Sequence, residues 1–377
     1  MKLPFIVRIA LVLISISILI YGAYILQETL QILAFSFLVA MLLYPLCRKL
    51  ESWKFSRVSA IFVCLLFLTS ILVLMGFLIV NQILDFSDQL PLFTSKMEAL
   101  TSKTQTWASR NFHISRAKQM NEVKKYSMDL VKNSASYLST FLSSAGNTLA
   151  NIALVPIFVF FIMLYRDFFR HFFYRAFGSM RRVKIDQILS KIYAVVQGYL
   201  AGLFLVILIV AALNTLGLWL LGIDYALFFG ILAAVLLLIP YIGIMIGSIL
   251  PILFALITKD SALSALGVAG VFGFVQMLEG NFITPHIVGS KVSINPLAAM
   301  VALILGGQLW GIGGLVLALP LTAILKVVMD SVDGLKPYGF LLGDPEHLLQ
   351  KAKKRVMKVQ ESDVDSEDKS DLGGGMV

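Results

Sequence analysis

Charge is what this chain has least of. Charged residues make up 14% of its 377 positions and hydrophobic residues 58%. A soluble domain carries about 25% charged and about 45–50% apolar residues. So little charge cannot clothe a soluble surface, and the composition is that of a polytopic membrane protein. Cysteine is nearly absent. Cys47 and Cys64 flank a short basic loop, with no CxxC or CxxH spacing, so neither a zinc nor a redox centre is implied. The four histidines, His113, His171, His286 and His347, are scattered. There is no HExxH, no Ser-His-Asp order and no GxxxxGKS/T run, which argues against catalysis and ATP hydrolysis and implies no cofactor. Nothing suggests nucleic acid: the net charge of +9 is accounted for by membrane topology and lipid headgroups.

What charge there is sets the expected topology. Lys2 and Arg8 precede an apolar run from Ile9 to Leu26, and a second run, Thr29 to Leu46, begins at once. No small-residue cleavage pattern separates them, so they read as an anchored helical hairpin, not a cleaved signal. The loop RKLESWKFSR that follows holds four basic residues and one acid, which favours the cytoplasm. A third span, about Val58 to Val80, completes an N-terminal region of residues 1–81. Residues 82–147 form a polar insertion. Phe86, Leu90, Phe93, Met97 and Leu100 fall at helical spacing, which predicts amphipathic helices on the periplasmic side. A fourth span, about Leu149 to Tyr165, leads into RDFFRHFFYRAFGSMRRVKIDQILSK, where seven basic residues stand against two acids. This is the strongest cytoplasmic marker, and its aromatic residues suit the membrane interface.

Residues 148–330 are expected to form a transport core. After a span at about Val195 to Leu221, two apolar arms, 225–239 and 244–257, surround Pro240-Tyr241-Ile242-Gly243. Each is about 22 Å long as a helix, short of the ~30 Å hydrocarbon core. They fit either two short spans or one re-entrant hairpin. A conventional span, Ala262 to Leu278, follows. A second pair of arms, 297–309 and 312–326, surrounds Gly306-Gly307 and Gly311-Ile312-Gly313-Gly314. Hairpins entering from opposite faces would suit an inverted repeat. Broken backbone at membrane depth is tolerated only inside protein or beside a watery cavity, which is how transporters build sites. Pro240, Tyr241, Gly243, Pro285, Pro296, Gly311, Gly313 and Pro320 are the candidate broken-helix positions. Residues 331–377 read as a cytoplasmic basic helix and an acidic, disordered tail.

Few polar side chains interrupt the apolar core. Gln276, Glu279, Asn281 and Thr284 cluster at the expected end of the Ala262–Leu278 span, and Asn214 and Gln308 lie deep in apolar runs. A carboxylate there is expensive unless it meets water, a partner or a proton. Glu279 is therefore either a proton, cation or solute site, or an interfacial residue paired with Lys291 or with backbone N–H groups. Asn214 and Gln308 are either solute contacts or helix–helix hydrogen bonds.

The run QMLEGNFITPHIVGSKVSINPLA, with IPYIG (Ile239–Gly243), Gly247, Pro251 and GIGGLVLALP (Gly311–Pro320), resembles the signature of the autoinducer-2 exporter family. The resemblance spans roughly residues 5–330. It departs at Ile244, where the family often has Pro, and at Asn295, where it often has His. It implies an all-α, multi-pass transporter of the bacterial inner membrane; the basic-residue asymmetry of the short loops puts both termini in the cytoplasm. The implied activity is export of a small polar solute, autoinducer-2 or similar, by an ion gradient or facilitated diffusion. Partners would be membrane lipids, protons or sodium ions, and further copies of the chain. The alternatives are a sodium/proton antiporter and a non-transporting membrane scaffold.

Overall fold

The computed structural model describes residues 4–74, 76–77, 81, 153–178, 180–239, 242–259, 261–289, 291 and 293–344. The polar insertion at 82–147, Pro240, Tyr241 and the C-terminal tail lie outside the described residues. Among the described residues, regular structure is helical, and the one β-bridge joins Ile294 to Gly343. Among the described residues six helices are long and apolar enough to cross a membrane. The chain divides into two units. One comprises residues 1–172 and 200–287, the other 173–199 and 288–377.

The first unit begins with α1 (Phe5–Ile25) and α2 (Gln27–Ser52), separated by Leu26 alone. Leu26 serves both helices: its N–H bonds to the Gly22 carbonyl in the last turn of α1, and its carbonyl accepts from Leu30 N in the first turn of α2, both 2.9 Å. An antiparallel helix pair needs a loop of about 2–5 residues. The expected hairpin is therefore a bend, and α1 and α2 meet end to end. α1 stays exposed, with Ile6 79% and Leu19 71% accessible. α2 packs instead on α3 (Arg57–Leu74) and α4 (Ala153–Leu164). Small residues let the three helices approach: Ala40, Cys47, Ala60 and Cys64 are buried beside Leu43, Ile61, Val159 and Met163. At one end of this bundle Arg166 meets Glu51 and Arg57 meets Asp167, both at 2.7 Å. α5 (Arg166–Ala176) starts there, with Phe168 and Phe172 exposed. The two basic loops read as cytoplasmic thus begin at the same end of the bundle.

α6 (Arg182–Leu220) enters the first unit at Leu200. It ends where the sequence places the end of its span, and the turn through Gly222 and Tyr225 takes positive φ, 66° and 59°. α7 (Ala226–Leu236) and α8 (Ile242–Thr258) follow as the first expected pair of arms. α7 is about 16 Å long, too short to cross alone. Gly243 and Gly247 bring the arms together: a Cβ on Gly243 would strike the Leu236 carbonyl, and one on Gly247 would meet Ala233 at 2.9 Å. α9 (Ala262–Leu278) starts at Ser261, whose hydroxyl accepts from Leu263 N. Leu218, Phe228, Phe229, Phe254, Val268 and Phe272 form the core shared by α6 to α9.

In the second unit, α10 (Pro296–Ser331) is broken in the middle. Trp310 (φ −132°, ψ 15°) and Gly311 (φ 59°, ψ −139°) leave helical geometry. A Cβ on Gly306 would lie 2.6 Å from the Gly314 carbonyl. In a straight helix residues eight apart are separated by about 12 Å. The chain therefore reverses at Trp310-Gly311, and the second expected hairpin is present. A 3₁₀ turn (Asp333–Leu335) and α11 (Lys336–Leu342) return along α10. Asn295 ties this end together. Its Oδ1 accepts from Ala298 N at 2.8 Å, capping α10, and its amide donates to the Leu341 and Gly343 carbonyls at 2.7 and 3.2 Å.

Candidate functional site

Helix does not stop at Glu279 as the sequence suggests. After α9 the chain continues as two π-helical segments, Glu279–Ile283 and Pro285–Gly289. The apolar run Leu263–Gly289 is 27 residues long and places Glu279 in its interior. Pro285 explains the change of winding. It lacks an N–H and its ring crowds the carbonyl four residues back, so the preceding turn widens. Thr284 N bonds to the Glu279 carbonyl, five residues earlier.

This register assembles the site. Gln276, one α-turn before Glu279, donates from Nε2 to Oε2 at 2.7 Å. Thr284 Oγ1 donates to Oε1 at 2.5 Å. In an α-helix a residue five positions on would point about 140° away; the π turn brings Thr284 onto the same face. Glu279 is buried, 8% accessible, with both carboxylate oxygens accepting hydrogen bonds. The wide turn turns Asn281 outward: it is exposed, and its amide donates to the Met277 carbonyl at 2.9 Å. His286 likewise bonds to the Phe282 carbonyl and is exposed.

Gln276 also lines a cavity of about 260 Å³ between α6, α7, α8 and α9. Its wall is mostly apolar, with Val210, Ile252 and Phe272 among the lining residues. Asn214, Ser248 and Gln276 supply its polar side chains. Asn214 is 3% accessible and its Oδ1 has no hydrogen-bond partner. Ser248 donates to the Ile244 carbonyl of its own helix at 2.8 Å. The sequence reading missed Ser248, because a serine that bonds its own helix looks like any helix-interior hydroxyl. Its signal was position, one residue after Gly247 in a broken arm.

The remaining candidates lie elsewhere. Gln308 is exposed on the first arm of α10. Pro296 opens α10 beside its Asn295 cap, Gly311 makes the reversal, Gly313 is half-buried and Pro320 is fully buried. Among the described residues no cluster of His, Cys, Asp and Glu could hold a metal ion.

Comparison with known proteins points one way. The profile described as "AI-2E family transporter" matches residues 13–334. A Bacillus subtilis (strain 168) protein named "Putative transport protein YueF" is 28% identical over 312 residues, covering 80% of this chain and 84% of that protein. The Escherichia coli (strain K12) "AI-2 transport protein TqsA" is 23% identical over 349 residues, covering 89% of this chain and 96% of its own length.

Proposed function

Because the chain belongs to the AI-2E transporter family, we propose that it exports a small polar solute, autoinducer-2 or a similar molecule, across a bacterial inner membrane. The observation that carries this reading is a buried carboxylate beside a cavity. Glu279 is held by Gln276 and Thr284 inside a membrane-length helix, and Gln276 also faces the α6–α9 cavity. A charge so placed is costly and marks ion or substrate pathways. In this reading the cavity holds the solute and Glu279 takes and releases a proton or a monovalent cation, coupling transport to a gradient. The α7–α8 hairpin supplies the moving wall. Its two arms come close through Gly243 and Gly247 and pack as one body through Phe229 and Phe254, so they move together. The basic loops and both termini face the cytoplasm, and α1, exposed over most of its described residues, contacts lipid or another subunit.

Glu279→Gln separates the parts of this reading. It keeps the shape and removes the titratable charge. In proteoliposomes with an imposed proton or sodium gradient, the variant should lose gradient-driven autoinducer-2 flux by about tenfold or more, at normal expression. Wild-type flux would remove Glu279 from the mechanism. Exchange of sodium for protons without any solute would instead favour the antiporter reading, which the same carboxylate could serve.

A further inference from the structure

We infer that the loop ends of the first unit form a docking surface for anionic phospholipid headgroups, built from Arg48, Lys49, Lys54 and Arg170 beside an exposed aromatic strip. The inference is independent of the solute and of how its transport is driven. Its first support is a surplus of charge. Segments 48–57 and 166–172 hold six Lys and Arg residues against two acids, Glu51 and Asp167. Arg166 and Arg57 already pair with those acids at 2.7 Å each. Four positive charges are left over, and Arg48, Lys49, Lys54 and Arg170 are exposed. All four belong to the same unit. The turn that carries Lys54 is fixed by its backbone. Trp53 N and Lys54 N bond to the Leu50 and Glu51 carbonyls at 2.9 and 3.1 Å, and Lys54 takes a φ of 69°. The Lys49 ammonium lies over the Trp53 ring, 5.8 Å from its centroid.

Charge alone does not choose a partner; the aromatic rings beside it do. Phe161, Tyr165, Phe168 and Phe169 form a run of ring contacts, with centroids 6.2, 6.5 and 6.1 Å apart, that leaves α4 and enters α5. All four rings are exposed, and none of the described residues of α5 is buried. On α5, Phe168, Phe169 and Phe172 fall within about 100° of the helix circumference, and Arg166 and Arg170 within the next ~100°. A basic amphipathic helix of this kind lies in the plane of the membrane interface, with its apolar face among acyl chains. Trp53 and Phe55, exposed on the α2–α3 turn, are of the aromatic type that sits near headgroup level. An acidic protein would neutralise the cations and leave the rings in water. A phospholipid covers both, with chains on the rings and a phosphate on the cations. A zwitterionic headgroup brings its own cation beside the phosphate, so the surplus charge favours an anionic one.

The test is lipid retention by the full chain in detergent, titrated with phosphatidylglycerol or phosphatidylcholine and read by native mass spectrometry. Phosphatidylglycerol should bind more tightly. Each Lys or Arg near an anionic surface strengthens attachment by about fivefold, so Lys54→Gln combined with Arg170→Gln should cut the preference by about fivefold or more. Arg181→Gln combined with Lys191→Gln removes two exposed cations from the second unit and should leave the preference unchanged. Lys54→Arg combined with Arg170→Lys keeps the charge and should keep the preference, whatever the neutral pair does to folding. Melting in nanodiscs gives a second readout. Phosphatidylglycerol should raise the wild-type midpoint at low salt and not at 1 M salt, where charges are screened within about 3 Å. Three results overturn the inference: equal binding of the two lipids by the wild type, an equal loss of preference in both neutral pairs, or its loss in the charge-keeping pair. A surface taken by the chain's own acidic segment, Glu361–Asp371, would give the first of these.

Discussion

Thr284 reports on the π turn one residue at a time. Its hydroxyl reaches Glu279 only because the chain winds wide there. Thr284→Val keeps the shape and leaves Glu279 Oε1 one bond short, which should cost about 1–3 kcal/mol. Thr284→Ser should restore most of it. The readout is melting temperature in detergent, read beside flux, and equal stability of the two variants would contradict the geometry. Asp167 carries a different prediction. The Arg57 guanidinium donates to it and holds its carboxyl below the ordinary 3.8. A carboxyl depressed in the folded state stabilises it above the ordinary value, and that contribution is lost as pH falls through the lower folded value. Asp167→Asn should therefore flatten the acid limb of a stability-versus-pH curve below about pH 4. The two side chains are 38% and 57% exposed, so the effect at neutral pH should stay within about 0.2–1 kcal/mol.

At the scale of the element, each hairpin depends on glycines that let backbones touch. A Cβ at Gly314 would strike the Gly306 carbonyl and lie 2.9 Å from Trp310 Cβ. Gly314→Ala should cost about 1–3 kcal/mol, as an overpacked contact does. Gly311 fails for another reason. It has open space around it but φ of +59° with ψ of −139°, a region that belongs to glycine. Gly311→Ala should thus strain the reversal even though nothing is crowded. Gly280, with open space and no positive φ, is the control, and Gly280→Ala should be close to neutral. A thermal-shift series on the three variants distinguishes crowding from backbone strain.

For the whole molecule, the salt bridges and the exposed helix lead to expectations on orientation and assembly. Arg57–Asp167 and Arg166–Glu51 put the starts of two basic loops at one end of the first unit. Reporter tags within 48–57 and 167–190, and after 345, should read cytoplasm, and a tag near residue 110 should read periplasm. A cytoplasmic signal at 110 would overturn that topology. α1 is an apolar helix with Phe5, Ile6, Ile18 and Leu19 exposed. Self-association would cover such a surface. Light scattering in detergent, corrected for bound detergent, should give a mass above the 41.6 kDa of one chain. A monomer at every concentration would argue for lipid as the only cover.

Composition and the spacing of Pro and Gly were enough to determine much of this protein. Scarce charge forces it into a membrane. Gly311 and its neighbours mark the second reversal, and Ala262–Leu278 is read to the residue, because a helix start capped by Ser261 and an apolar run are local properties. The sequence also named Gln276, Glu279, Asn281, Thr284, Asn214 and Gln308 as the polar residues of the core, of which Asn281 and Gln308 are exposed. It misjudged what depends on winding and contact. Glu279 looked like the end of a span, because π and α segments have the same composition and differ only in hydrogen-bond register. Asn281 sat in the same cluster on paper, yet the wide turn carries it outward and brings Thr284 in. Two adjacent apolar runs suggest an α1–α2 hairpin, and only the one-residue joint at Leu26 and the exposure of α1 show that it is a bend. Tertiary structure alone decided that Asn214 and Ser248, 34 positions apart, share a cavity with Gln276, since closure of α6 to α9 around a common space is a property of packing and not of any one segment.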